Sequence, residues 1–234
     1  MTIIPRSIHI AVTLITVYLI VLAHGIVPKR VSIITGASGF IGRTIVHEML
    51  SNNEDCVLPV HCNDIYALVR SGKVSSEQEY WDKELGGVTH TGGSGPTVTV
   101  CAYDMLDGGK SLSECLDKIR CKYCNDNPDY IPADLFDGVD VYHVASKFGP
   151  TEDHETTALE NVRGTEDLVR TCSEYAVSVG IRRLAITSSM AAVRATNQEP
   201  LNGEYYTEQD WNTKSELGAN WGASYQWSKA GQLV

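Results

Sequence analysis

From Arg30 onward the chain alternates short, continuously apolar runs with longer segments whose apolar residues recur at helical spacing. "RVSIIT" at 30–35 is β-branched and apolar. "GRTIVHEMLS" from Gly42 then carries Ile45, Val46, Met49 and Leu50 on one helical face, so the pattern predicts strand, turn and helix. The alternation recurs in "DIYALVR" from Asp64, "TVTVCAYD" from Thr97, "GVDVYHVAS" from Gly138, the helical "ALENVRGTEDLVRTCSEYAVSVG" from Ala158 and "IRRLAITSS" from Ile181. Strands apolar on both faces and separated by helices imply a parallel sheet covered on both sides. The predicted fold class is α/β, a doubly wound parallel sheet of Rossmann type spanning residues 28–234. Two polar stretches, at about 71–96 and 107–134, fall between strands and read as surface insertions. Within the first, "TGGSGP" has no strand feeding it and no helix leaving it, so it reads as a flexible loop rather than a phosphate cradle.

The N-terminus follows a different pattern. Residues 8–27, "IHIAVTLITVYLIVLAHGIV", contain no Asp, Glu, Lys or Arg, and about 20 apolar residues suffice to cross a bilayer. The expectation is a membrane anchor or a secretory signal peptide, the latter because Ala23-His24-Gly25 offers small residues for cleavage. Residues 1–27 are accordingly set apart from the domain, with membrane association through 8–27 and a membrane or endoplasmic reticulum location. The alternative is a buried edge element of a cytoplasmic protein, which Thr13, Thr16 and His24 keep open.

Composition adds few constraints. A chain of 234 residues, 43% hydrophobic, supports one substantial core. Its 19 basic and 29 acidic residues leave a net charge of -10, which repels phosphate backbones and argues against a nucleic-acid partner. The seven cysteines are odd in number and irregularly spaced, and the single CxxC at Cys121–Cys124 has neither a second CxxC nor a His-x3-His to complete a zinc site. No metal is expected. Reduced thiols are the default reading, with a Cys56–Cys62 or Cys121–Cys124 bridge open to the domain only in an oxidising compartment.

The candidate chemistry begins at "TGASGFIG", residues 35–42. Gly36, Gly39 and Gly42 fall where the first strand turns into the first helix. There a missing side chain lets backbone approach a pyrophosphate, and the helix N-terminus presents N–H groups to its charge. Context makes this stronger than an isolated glycine pattern. At the end of the second strand, "ALVRSGK" offers Arg70 and Lys73 and no nearby acid. A carboxylate there would bind a ribose 2′-hydroxyl, whereas an arginine accommodates a 2′-phosphate, so NADP(H) is favoured over NAD(H). Near the C-terminus Tyr225 and Lys229 lie four apart and share one helical face. A cation beside a phenol favours phenolate, which fits Tyr225 for proton transfer near neutral pH.

With these residues in view, the chain from 30 to 234 resembles the extended short-chain dehydrogenase/reductases of the NAD-dependent epimerase/dehydratase superfamily. TGxxGxxG at Thr35–Gly42 is that branch's form. "YTEQDWN" and "YQWSK" look like the dihydroflavonol reductase and cinnamoyl-CoA reductase subgroup. The resemblance implies a Ser189–Tyr225–Lys229 catalytic set, with Ser189 rather than Ser188 of "TSS" hydrogen-bonding the substrate oxygen and Lys229 also holding the nicotinamide ribose. It further implies a cofactor site made of Thr35, Gly36, Ser38, Gly39, Phe40, Ile41 and Gly42 in the glycine turn and Arg70 after the second strand. Asp104 of "AYDMLD" would contact the adenine, with Met105 beside it in the cofactor site. Val144, Ala145 and Ser146 of "VYHVAS", Asn161 of "NVRGTEDLV", Thr187, Tyr225 and Lys229 complete the implied set. The activity implied is NADPH-dependent hydride transfer to or from a small or medium hydrophobic carbonyl or alcohol. A 3β-hydroxysteroid dehydrogenase-like enzyme, a nucleotide-sugar epimerase and a catalytically inactive NADP-binding protein remain alternatives, though "YTEQDWN" speaks against the epimerase. Family members continue well past the lysine into a smaller substrate domain, whereas five residues follow Lys229 here, so a truncated chain is expected.

Overall fold

The apolar runs become strands because their β-branched and aromatic side chains can be buried on both faces of a pleated sheet. The computed structural model describes residues 29–51, 62–86, 97–124, 136–149, 153–207 and 209–232. In order, the elements are β1 (Lys29–Thr35), α1 (Phe40–Leu50), β2 (Cys62–Val69), α2 (Val74–Gly86), β3 (Thr97–Ala102), α3 (Lys110–Tyr123), β4 (Phe136–His143), α4 (His154–Tyr175), β5 (Ile181–Ile186) and α5 (Trp221–Gly231). All strand pairs are parallel, in the order β3-β2-β1-β4-β5. The order reverses between β1 and β4, so the crevice beyond their C-terminal ends is where an open α/β sheet receives a ligand. The predicted doubly wound fold is the one observed.

Alternation along the strands divides the core in two. Tyr66 and Leu68 of β2 join Val31, Ile33, Cys101 and Val141 against Leu112, Leu116 and Ile119 of α3 and Leu168 of α4. Ile65, Ala67 and Val69 face the other way with Ile34, Val98 and Val100, against Val46 of α1 and Trp81 of α2. The helices therefore lie in pairs on opposite faces.

Two expectations are corrected by this packing. The stretches at 71–96 and 107–134 contain α2 and α3, which cover the sheet rather than decorate it. Their polarity disguised them: α2 places Trp81 in the core with no exposed surface and is fixed to α1 by Glu77, which accepts from Arg43 Nε at 2.8 Å and from its terminal nitrogen at 2.6 Å. In α3 the buried Leu112, Leu116, Ile119 and Tyr123 keep helical spacing inside a run of charged and polar neighbours. The second correction concerns the membrane. No helix among the described residues is long and apolar enough to cross a bilayer, so the membrane-spanning helix expected from the sequence is not found. Residues 8–27, on which that expectation rested, lie outside the described residues, as do 87–96 with "TGGSGP" and Cys56.

Candidate functional site

The strand-to-helix turn is built by what its glycines omit. Gly36 has φ +69°, and a Cβ there would sit 2.9 Å from the Ala145 amide nitrogen of the loop after β4. A Cβ on Gly42 would lie 2.3 Å from the Gly36 carbonyl oxygen, a backbone atom that no side-chain rotation can move away. Gly39 donates to that same carbonyl at 2.9 Å and caps α1. No side chain caps the helix, so its first-turn N–H groups face the crevice end without an intramolecular acceptor from a cap. Ser38 is half-buried, whereas Phe40 and Ile41 are exposed on this turn.

Thr35 closes β1 and organises the turn's floor. Its hydroxyl oxygen accepts from the amides of Val144 and Ala145, both at 3.1 Å. With both lone pairs taken, its proton goes to His143 Nδ1, 2.8 Å away. His143 therefore carries its proton on Nε2, which donates to Thr165 Oγ1 at 3.2 Å. Burial, and secondarily the nearby Lys229 charge, pull the His143 pKa down to about 4, which keeps the ring neutral.

Asn161 of α4 fastens the loop that follows β4. Its Oδ1 accepts from the Lys147 amide at 2.8 Å and the Ser146 hydroxyl at 3.3 Å, and its Nδ2 donates to the Lys147 carbonyl at 2.9 Å. One turn on, Gly164 lets α4 approach the loop after β3, since a Cβ there would be 2.9 Å from the Met105 carbonyl. Asp104 in that loop is exposed, and its carboxylate accepts from the Leu106 amide. Arg70 and Lys73 lie exposed in the 3-10 turn that leaves β2. The Thr187 amide donates to the His143 carbonyl at 2.9 Å, which carries β5 to Ser189. The Ser189 hydroxyl accepts from the Ala191 amide at 3.2 Å and begins a short 3-10 turn, and Asn212 donates to the carbonyls of Ala191 and Ala192.

Helix α5 starts at Asn220, whose side chain accepts from the Ala223 amide, and it packs against both α4 and the Ser189 turn. It delivers Tyr225 and Lys229 together on one face. Tyr225 is half-buried, edge-on to Phe148 at 5.1 Å and stacked with Trp221 at 6.0 Å between ring centroids. The Lys229 nitrogen lies 5.8 Å from the Tyr225 ring centroid. It donates to Gln232 Oε1 at 2.9 Å and to Ser146 Oγ at 3.4 Å. Burial lowers its pKa.

The glycine turn, the loop 144–146, Asn161, Tyr225 and Lys229 thus lie at the C-terminal end of the β1–β4 switch point. Ser189 lies beside α5 across the end of β5, and Arg70, Asp104 and Met105 are carried by the ends of β2 and β3. Sequence reasoning passed over His143, Thr165, Gln232, Phe148 and Trp221. Only two of these had a local signal, Trp221 four residues before Tyr225 and Gln232 three after Lys229, both on the helical spacing of the same element.

Residues 34–87 match the NAD-binding family model described as "Male sterility protein". No curated protein sequence matches the chain. Among solved structures, the yeast methylglyoxal/isovaleraldehyde reductase complexed with NADPH is similar with a TM-score of 0.60 and 21% identity, over 87% of this chain and 50% of that one. A UDP-glucose 4-epimerase from Bifidobacterium longum in complex with NAD+ and UDP gives 0.53 at 15% identity, over 87% and 47%. The terminal R domain of the myxalamid biosynthetic pathway gives 0.52 at 18% identity, over 88% and 45%. The chain spans about half the length of these structures. Its five-stranded parallel sheet, wound on both faces by helices, is a Rossmann-type fold, which it shares with these structures.

Proposed function

We propose that this chain is an NADP(H)-dependent oxidoreductase of the extended short-chain dehydrogenase/reductase family, acting on a carbonyl or alcohol carbon of a small or medium hydrophobic substrate. The carrying observation is the convergence, at one end of the sheet, of a turn that only glycine can form with a helix that presents a tyrosine and a buried lysine. The fit to a dinucleotide rests on the tight backbone turn that Gly36 and Gly42 alone permit and on the helix end without a side-chain cap. Residues 35–42 would hold the pyrophosphate. Arg70 would meet the 2′-phosphate, Asp104 and Met105 the adenine, and Val144, Ala145, Ser146, Asn161, Thr187, Tyr225 and Lys229 the nicotinamide half. When bound, the nicotinamide supplies or accepts the hydride.

The protein's own residues carry the remaining work. Ser189 hydrogen-bonds the substrate oxygen and Tyr225 gives that oxygen its proton, or takes it in the reverse direction. Lys229 stands on the same helical face, its nitrogen 5.8 Å from the Tyr225 ring centroid, where it would hold the nicotinamide ribose. Within the family, the "YTEQDWN" and "YQWSK" segments favour the dihydroflavonol and cinnamoyl-CoA reductase subgroup.

The test is Tyr225→Phe. Turnover of a carbonyl panel with NADPH should fall by on the order of a hundredfold or more, while NADPH affinity stays within about twofold, because the lost group acts on the proton and not on the dinucleotide. Turnover that survives the substitution would sink the assignment.

A further inference from the structure

One buried feature is not absorbed by this reading. A continuous chain of hydrogen bonds runs behind the candidate site from α5 to the glycine turn. Lys229 Nζ donates to Gln232 Oε1 at 2.9 Å, which fixes the orientation of the Gln232 amide, since an ammonium can only donate. Gln232 Nε2 then donates to Thr165 Oγ1 at 2.9 Å and to the Asn161 carbonyl at 3.2 Å. Thr165 Oγ1 gives its own proton to the Asn161 carbonyl at 2.9 Å and accepts a second hydrogen bond from His143 Nε2. His143 Nδ1 in turn accepts from Thr35, whose oxygen is held by the amides of Val144 and Ala145. Thr165 makes one donation and two acceptances, so its capacity is filled. His143, Thr165, Lys229 and Gln232 are all buried.

From this saturation we infer that Gln232, backed by Thr165 and His143, is a positioning residue for Lys229. The inference rests on the reading of Lys229 as the lysine that holds the nicotinamide ribose. A lysine side chain has four rotatable torsions, and a buried ammonium without a carboxylate partner settles wherever neutral acceptors are offered. Gln232 supplies that acceptor from three residues along the same helix. Because its amide is pinned at its other end to Thr165 and to the backbone of α4, the acceptor is rigid. The chain ends on the threonine whose oxygen orders the loop against Gly36, so the position of the lysine is referenced to the turn that would hold the pyrophosphate. Among the described residues, the titratable groups recorded near Lys229 are the neutral His143 from β4 and the Tyr225 phenol from α5.

The experiment measures NADPH binding to the full chain by titration, beside its thermal unfolding, for wild type and four variants. Lys229→Met is the reference for losing the lysine. Gln232→Met keeps the volume and deletes all three side-chain hydrogen bonds, to Lys229, Thr165 and the Asn161 carbonyl. It should weaken NADPH binding by roughly tenfold, the size expected for one charge-assisted hydrogen bond. Thr165→Val should weaken binding in the same direction, and Thr165→Ser, which restores the hydroxyl, should return it to within about threefold of wild type; this pair decides the matter if Gln232→Met does not fold. A readout independent of the cofactor is the nitrogen spectrum of the His143 ring, which should show a neutral imidazole protonated on Nε2 near neutral pH. Binding weakened by Lys229→Met but untouched by Gln232→Met, or a His143 protonated on Nδ1, overturns the inference alone. Undiminished binding in Lys229→Met overturns the functional reading and the inference with it.

Discussion

The two ends of the sheet solve the problem of polar groups in opposite ways. At the N-terminal ends of the strands, charges cancel one another. Arg30 of β1 donates to Asp137 of β4 through Nε at 3.0 Å, Arg182 of β5 pairs with the same carboxylate and donates to its backbone carbonyl, and Lys122 of α3 reaches Asp64 of β2 at 2.7 Å. Burial acts to raise the Asp137 carboxyl, but the hydrogen bond and charge of Arg30, helped by Arg182, hold it below the ordinary carboxylate range. At the C-terminal ends of β1 and β4 the buried cluster of Thr35, His143, Thr165, Gln232 and Lys229 carries one cation among neutral groups. His143 is kept uncharged, Thr35, Thr165 and Gln232 saturate one another, and Lys229 has oxygens of serine and glutamine as hydrogen-bond partners. Charges already paired among themselves have little left to offer a ligand. A buried ammonium whose recorded hydrogen-bond partners among the described residues are neutral, at the same end of the sheet as a helix N-terminus with no side-chain cap, leaves its electrostatic demand open to a polar or anionic one.

Three substitutions press on this contrast. The largest effect is expected at Gly42→Ala, because the new Cβ would meet the Gly36 carbonyl at 2.3 Å and the turn must open to admit it. Loss of about 3 kcal/mol or more of stability, read by urea unfolding, should accompany loss of NADPH binding in titration. A variant that binds as well as wild type would show that the turn is not the cofactor's seat.

The second effect is a pH dependence that belongs to the neutral end alone. His143 has a folded pKa of about 4 against an ordinary value of 6.5, so the unfolded chain binds the proton more readily. Its contribution to stability is therefore present above about 6.5 and is lost as pH falls through that value toward 4, by up to roughly 3 kcal/mol. Denaturant unfolding at a series of pH values should show this slope in wild type and lose it in His143→Asn, which does not titrate. Identical slopes in the two proteins would mean that His143 is not held neutral by the fold.

The smallest effect is expected at the charged end. Asp137→Ala removes the carboxylate shared by Arg30 and Arg182, but all three side chains are partly exposed, and such pairs contribute on the order of 1 kcal/mol or less. Thermal unfolding should shift by a few degrees at most and NADPH affinity should not change. A large loss of binding here would collapse the distinction between the two ends.

The sheet was legible in advance because its strands are buried on both faces, and such burial demands uninterrupted apolar runs such as "RVSIIT" and "DIYALVR". The glycine turn was legible for a related reason: a backbone contact at Gly36 and Gly42 tolerates no Cβ, so the residue type itself records the packing. The helices α2 and α3 were not legible. Each buries a narrow stripe while showing a charged face, and α2 rests on one tryptophan and on an arginine–glutamate pair whose members are 34 residues apart. No local periodicity reports a partner that distant.

The tyrosine–lysine pair and the glycine turn were each readable because their spacing is short and set by one element or one turn. What the sequence by itself determined is this kind of local geometry, together with the α/β alternation that follows from strand burial. The tertiary structure alone decided that Thr35, His143, Thr165, Gln232 and Lys229 form one hydrogen-bonded chain. Its members come from β1, β4, α4 and the C-terminal end of α5, up to 110 residues separate the groups hydrogen-bonded around Thr35, and the protonation of His143 depends on how many acceptor sites on Thr35 are already filled. Hydrogen-bond saturation is a property of groups assembled in space, and it leaves no periodic trace along the chain.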